Sequence, residues 1–454
     1  MCGIVGVFNN TEAANFAYLG LYALQHRGQE SASIVSVEHN GTSNLRAFHA
    51  EKGMGLVAQV FKPEVLARLP GNAAIGHTRY STTGDSNLLN AQPLLAETNK
   101  GRFALAHNGN LVNAEGWRKE LEWRGSIFQT TTDTEVINHL IALSRKGNFT
   151  EALIDALRQI EGAYSIVLLT QSEFFAARDP RGFRPLVLGQ AGESWIVASE
   201  TCAFDLIGAT YVREIEPGEI VRISQNGLES VKFAQAVKQQ CIFEHVYFSR
   251  PDSVVFGRSV YRTREQLGRL LAQQHPTPEA EIVVPVPDSG VPAAIGYAME
   301  SGTPFRMGLI RNHYVGRTFI EPKQSIRDFG TKLKLNPVRE LLRDKSVVLV
   351  DDSIVRGTTS KKIVRMVWEA GAREVHMRIS CPPTIKSCQY GIDTPTSEEL
   401  IAAHRSEEEI RAFIGADSLH YLSLVNLRSA VQPGEHGFCD ECYSGRSSLV
   451  RIEG

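Results

Sequence analysis

No apolar run in this 454-residue chain is long enough to cross a bilayer, so no helical membrane span is expected. Nor is there an excess of either charge: 48 Lys and Arg stand against 50 Asp and Glu, a net −2. Nucleic acid and anionic membrane are therefore not expected as partners. The start, Met1 to Phe8, has neither the basic flank nor the long apolar core of a secretory signal, which points to a cytoplasmic protein. Cysteine is scarce: Cys2, Cys202, Cys241, Cys381, Cys388, Cys439 and Cys442. In a leaderless chain these are expected to be reduced, catalytic or metal-bound rather than paired. What is present is ordinary globular material, 43% hydrophobic and 22% charged, with length for two or three cored domains.

The stretch Val347 to Ser360, V-V-L-V-D-D-S-I-V-R-G-T-T-S, begins as a short buried strand of mostly β-branched residues. Asp351 and Asp352 stand at its end, and Arg356-Gly357-Thr358-Thr359-Ser360 forms a small donor-rich loop. Ile363, Val364, Val367 and Trp368 then recur at helical spacing, with Gly371 placed to stop the helix. A strand–loop–helix of this kind points free N–H groups at a phosphate, and the paired acids suit sugar hydroxyls or hydrated magnesium. On pattern alone, a solvated turn using Asp and Thr for local hydrogen bonds stays open. The stretch closely resembles the phosphoribosyl-pyrophosphate (PRPP) signature of type I phosphoribosyltransferases. That resemblance implies that Asp351 and Asp352 hold the ribose hydroxyls and Mg2+, and that Ser353, Arg356, Gly357, Thr358 and Thr359 hold the 5-phosphate.

At the other end, Cys2 follows Met1 directly. Its small size allows Met1 to be removed, leaving a free α-amine with a reference pKa of about 7.7–8. One residue then carries both a thiol nucleophile and the base that activates it. An ordinary buried cysteine at the start of a strand is the other reading. Four further pieces follow: Leu24 to Ser31 at a helix end, Gly76 to Thr82 after the strand Ala73–Ile75, His107-Asn108-Gly109-Asn110 after the strand Phe103–Ala106, and Thr132 to Glu135 opening a helix. Together with Met1 to Phe8 they resemble the class II glutamine amidotransferases, the N-terminal-nucleophile glutaminases. Arg79 can fork onto the α-carboxylate of glutamine, and Asp133 can face its α-ammonium. The Asn108 side chain and Gly109 N–H match the family's oxyanion hole. Taken singly, Arg79 also reads as a surface ion pair, Asn108-Gly109 as a hairpin turn, and Asp133 as a helix cap with Thr132 and Glu135 forming a capping box.

The text from Ala163 to Phe233 is strand-rich and ends in a hairpin around Asn226-Gly227; Cys202 reads as core, and Ala234 to Gln240 as a domain joint. Cys241 to Ser253 resembles the joint of glutamine PRPP amidotransferases, the enzymes that open purine synthesis. Ile282 to Gly290 is a strand and tight loop, with Pro292 starting a helix; the resemblance gives this loop to pyrophosphate and Ser289 to Mg2+. Between Arg306 and Lys334 seven Lys or Arg face two acids. A basic run is usually a solvated face, but this one holds Asn312 to Ile320, which looks like the family's mobile loop and gives Arg317 to PRPP. Alternating strands and helices from Glu281 to Ser380 argue for a parallel sheet.

Cys241, Cys388, Cys439 and Cys442 stand where one branch of that family carries a [4Fe–4S] cluster. A zinc site and four unliganded thiols are the rivals, and the single C-x-x-C at Cys439 is weak by itself. In that branch a short propeptide often precedes the catalytic cysteine; only Met1 precedes it here, and the chain runs 12 residues past Cys442. The expected architecture is α/β and α+β: an N-terminal-nucleophile αββα sandwich over residues 1–236, then a type I phosphoribosyltransferase domain with a mainly parallel sheet over 237–454. The expected activity passes ammonia from glutamine, cut at Cys2, to PRPP, giving 5-phosphoribosylamine. The resemblance also implies a homotetramer and feedback by purine nucleotides. Two other readings compete. Another class II amidotransferase should not carry Asp351-Asp352. A PRPP-sensing regulator with a vestigial glutaminase would have no use for Cys2 with Arg79, Asn108 and Asp133, and no DNA-binding helix pair is apparent.

Overall fold

The computed structural model describes residues 1–38, 48–80, 84–312, 335–431 and 437–449. The strand Gly3–Phe8 is buried at every position and sits inside a seven-stranded antiparallel sheet, flanked by Ala73–Arg79 and Ser194–Ala198. A second, six-stranded sheet centres on Gly101–Leu111, Gly162–Thr170 and Phe174–Arg178. Apolar residues of both sheets interdigitate between them: Ile4, Val35 and Ile75 from the first, Ala104, Ala106 and Val167 from the second. The helix Ala13–Ala23 covers the outer face of the first sheet through Ala17 and Leu21, while Thr134–Leu143 and Phe149–Leu157 cover the second. The result is the αββα sandwich.

The second half is built on a four-stranded parallel sheet in the order Ile282–Pro285, Ser346–Asp351, Glu374–Ile379, Ser418–Tyr421. Its inner strands are buried at nearly every position because helices pack on the sheet, among them Val291–Ser301, Thr358–Glu369 and Glu407–Ile414. This is the type I phosphoribosyltransferase arrangement. The hairpin around Asn226-Gly227 forms as expected, from Glu219–Ser224 and Gly227–Lys232. Among the described residues no helix is long and apolar enough to cross a membrane.

Residues 234–239 carry neither helix nor strand; Gln240–Cys241 then pairs in parallel with Phe438–Cys439, setting Cys241 opposite Cys439. One π-helical turn, Glu244–Phe248, follows. A wholly buried ion network fastens it to the glutaminase-like half. Arg27 bonds Glu200 at 2.5 Å and Glu244 at 2.6 Å, and Arg184 reaches Glu244 at 3.4 Å. Ser249 and Ser253 donate to the same two carboxylates. Removing one partner from such a network costs about 3–5 kcal/mol, because an uncompensated charge stays behind.

Candidate active sites

Cys2 emerges at the open end of its strand, where Gly3 faces Thr78. Its N–H donates to Asn108 Oδ1 at 3.2 Å, and its thiol to the Tyr80 carbonyl at 3.6 Å. Burial pushes the Cys2 thiol above its ordinary value; the chain's amino terminus, the Tyr80 hydrogen bond and the Arg79 cation pull it the other way. The amine that the chain carries here, on Met1, is lowered to about 6 by burial. Asn108 Nδ2 is buried with no acceptor among the described residues. An unmet buried donor costs about 1–3 kcal/mol and is satisfied once an anionic oxygen arrives.

Asn108 and Gly109 are not a hairpin turn. They lie inside the strand Gly101–Leu111, opposite Ser165 and Tyr164. Tyr164 uses its own N–H and C=O on Asp179. Those of Gly109 therefore point to the opposite edge of its strand, which beyond Leu105 has no paired strand among the described residues. Gly109 has φ +154°, and a Cβ there would lie 1.9 Å from the Ala163 carbonyl, so only glycine fits.

Arg79 is buried rather than part of a surface ion pair, and donates to the Asp85 carbonyl at 2.8 Å. Asp133 precedes the helix Thr134–Leu143 without capping it: its Oδ2 accepts from Leu111 N–H at 2.8 Å. Glu135 accepts from the N–H groups of Gln129 and Thr130, so no capping box forms with Thr132. Both charges act on the Cys2 thiol, Arg79 lowering it and Asp133 raising it.

In the second half Asp351 and Asp352 are buried where the strand Ser346–Asp351 ends. Burial and then the neighbouring Asp352 push the Asp351 carboxyl well above the usual carboxylate range. Ser353 donates to Asp352. Gly357 has φ +75°, and a Cβ would meet Ile401 at 2.8 Å. It leads into Thr358–Glu369, whose first N–H groups have no partner within the helix. Arg356 turns outward and forks onto Glu399 at 3.1 and 3.2 Å. The loop bearing Ser289 joins this site, since Val286 N–H donates to the Val350 carbonyl at 2.8 Å. The donor set, two adjoining carboxylates and a hydroxyl, is the oxygen chemistry that Mg2+ takes. Arg317 lies outside the described residues.

All seven cysteines are unpaired. A cavity of about 30 Å³ is lined by Cys241, Cys388, Cys439 and Cys442 together with Arg184. Burial pushes the Cys241 thiol up to about 11 and Cys439 up to about 12. Cys442 rises well above its ordinary value through burial and then the other three thiols. Four thiols thus line one cavity beside a cation, but among the described residues no three His, Cys, Asp or Glu stand close enough to hold a metal ion. Cys381 is buried in the core of the second half, and Cys202 lies in the core of the first half.

Residues 77–205 match a family model described as a glutamine amidotransferase domain. An amidophosphoribosyltransferase of Glycine max, named as chloroplastic, is 54% identical over 448 residues, covering 98% of this chain and 78% of that protein. The amidophosphoribosyltransferase of Bacillus subtilis is 48% identical over 453 residues, covering 98% and 93%. The chain belongs to the amidophosphoribosyltransferases. A solved glutamine PRPP amidotransferase of B. subtilis, complexed with ADP and GMP, superposes with a TM-score of 0.92 at 47% identity, covering 98% of this chain and 97% of that one. For this amidophosphoribosyltransferase, the sequence reading missed the buried partners Arg27, Glu200, Arg184 and Glu244. Their signal was available: charged residues inside otherwise apolar or glycine-rich motifs.

Proposed function

We infer that the chain makes 5-phosphoribosylamine, glutamate and pyrophosphate from glutamine, water and PRPP, the opening step of purine synthesis. With Met1 removed, the Cys2 α-amine takes the thiol proton, and the thiolate attacks the side-chain amide of glutamine. Asn108 Nδ2 and the Gly109 N–H receive the oxyanion, Arg79 the α-carboxylate and Asp133 the α-ammonium. Collapse expels ammonia and leaves a thioester, which water cleaves to glutamate. Ammonia passes internally to the second site and displaces pyrophosphate from C1 of PRPP. There Asp351 and Asp352 hold the ribose hydroxyls, while Ser353, Arg356, Gly357, Thr358 and Thr359 hold the 5-phosphate and Arg317 contributes from its loop. Arg356 must leave Glu399 to do so. Asp351, Asp352 and Ser289 would hold Mg2+, whose charge offsets that of the leaving pyrophosphate. The observation that carries the reading is Asn108, with Oδ1 on the nucleophile's nitrogen and Nδ2 buried and unmet.

The test is pyrophosphate release with PRPP and glutamine together. Release that depends on both is expected. PRPP binding without release would favour a PRPP-sensing regulator. A division at 236/237, a homotetramer, feedback by purine nucleotides and a cytoplasmic location belong to the same proposal; the free cysteines suit a reducing compartment.

Cys241, Cys388, Cys439 and Cys442 would hold one [4Fe–4S] cluster, which would tie the joint to the C-terminal segment and carry no electron for either half-reaction. Its support is the shared cavity and the pairing of Cys241 with Cys439. Anaerobically purified protein is expected to be brown, with about four irons and matching acid-labile sulfide per chain. Zinc or no metal on analysis rejects the cluster.

A further inference from the structure

We propose that the loop Cys388 to Ile392, which belongs to the second half, holds the oxyanion hole of the first half in shape, with Gly391 as the positioning residue. The proposal rests on the glutaminase reading above. Gly391 has φ +95°, and a Cβ on it would lie 2.8 Å from the Gly109 carbonyl carbon and 2.9 Å from its oxygen. Two glycine backbones are thus in direct contact, along the edge of Gly101–Leu111 that lacks a paired strand among the described residues. Gly109 is wedged between Ala163 on one side and Gly391 on the other.

The loop is held firmly enough to act as a stop. Asn110 Nδ2 donates to the Gln389 carbonyl at 2.9 Å. Arg184 donates to the Tyr390 carbonyl twice, at 2.9 and 2.6 Å. The Tyr390 ring stacks on Phe183 with centroids 4.4 Å apart and planes within 10°. The Tyr390 hydroxyl donates to Glu441 at 2.8 Å. Residues Gln389 and Tyr390, just before Gly391, are therefore fixed by several contacts, most of them made by the first half. A strand edge left open for a substrate has no ladder to keep its amides aimed. Here that constraint is supplied from across the domain boundary.

The experiment compares Gly391→Ala, Asn108→Ala and the double variant by steady-state kinetics with glutamine and, separately, with ammonia. Gly391→Ala is expected to lower the glutamine-dependent kcat about tenfold, a fraction of what losing an oxyanion donor costs, and to leave glutamine KM and the ammonia-dependent rate within about twofold. In the Asn108→Ala background the same change is expected to cost less than about twofold more, because the hole is already disabled. Additive losses, or full glutamine turnover in Gly391→Ala, overturn the proposal while leaving the glutaminase reading intact. Full glutamine turnover in Asn108→Ala overturns both. If Gly391→Ala loses the ammonia-dependent rate through misfolding, Asn110→Ala takes its place. It removes the bond to Gln389 without a clash, and a loss of about threefold in glutamine kcat, again non-additive with Asn108→Ala, is expected; an unchanged kcat overturns the proposal.

Discussion

Cys2→Ala is expected to lower glutamine-dependent synthesis by about 10⁶-fold, the scale seen when a nucleophile is deleted from a covalent mechanism. Ammonia-dependent synthesis should persist, because the thiol acts only on the amide. The structure gives that separation a physical basis. The nucleophile sits at the end of a strand in the antiparallel sandwich, whereas the paired aspartates end a strand of the parallel sheet. Neither strand belongs to the other's sheet. Alanine also leaves the Cys2 N–H to Asn108 Oδ1 bond in place, since it is made by the backbone. Assaying both nitrogen sources on one folded preparation checks the prediction. Loss of both activities would show that Cys2 supports more than the amide cleavage.

Asp351→Asn and Asp352→Asn are each expected to lower both activities about 100-fold, roughly 2.7 kcal/mol, which is what one or two charge-assisted hydrogen bonds to ribose contribute. Both nitrogen sources meet the same PRPP, so the ratio of the two rates should hardly move. The unliganded protein should behave in the opposite sense. Asp351 and Asp352 are adjoining buried carboxylates, and burial together with the neighbouring Asp352 disfavours the charged form of Asp351. Replacing one by a neutral isostere relieves the repulsion between them. In Asp351→Asn the side-chain amide oxygen still accepts the Asp352 N–H that now goes to Asp351 Oδ1. The Tm without ligand should therefore equal or exceed that of the parent protein. Unchanged PRPP affinity and turnover in both variants would remove these acids from the site.

Much of this was legible because the chemistry is carried by contiguous stretches. The strand–loop–helix at 347–369 could be read from its apolar run, its glycine and its helical spacing, and Thr358–Glu369 forms where expected. Strand ends were harder. Ala73–Ile75 and Phe103–Ala106 continue to Arg79 and Leu111. Many of the added residues are polar yet buried, as His77, Thr78, Arg79 and Asn108 are. A catalytic site turns polar side chains inward, which breaks the alternation that marks a strand. Asp133 was read two ways because a helix cap and an ammonium partner need the same residue at the same place; its side chain makes no cap and accepts from Leu111 instead, which removes the first reading. Long-range pairs left no local trace. Arg27 and Glu244 lie 217 positions apart, and nothing near either one names the other. The contact of Gly391 with Gly109 is of the same kind.

The two-residue parallel pair of Gln240–Cys241 with Phe438–Cys439 has a consequence for how the chain matures. It closes a loop of roughly 200 residues for very little ladder, so closure entropy places it after the sandwich and the parallel sheet have formed. During synthesis Phe438 and Cys439 emerge from the ribosome long after Cys241. Cys241 therefore waits, with its partner strand absent, while the parallel sheet is translated and folded. The pairing of Cys241 with Cys439 can form only once Cys439 has been made, and any premature stop before Phe438 leaves that pairing open.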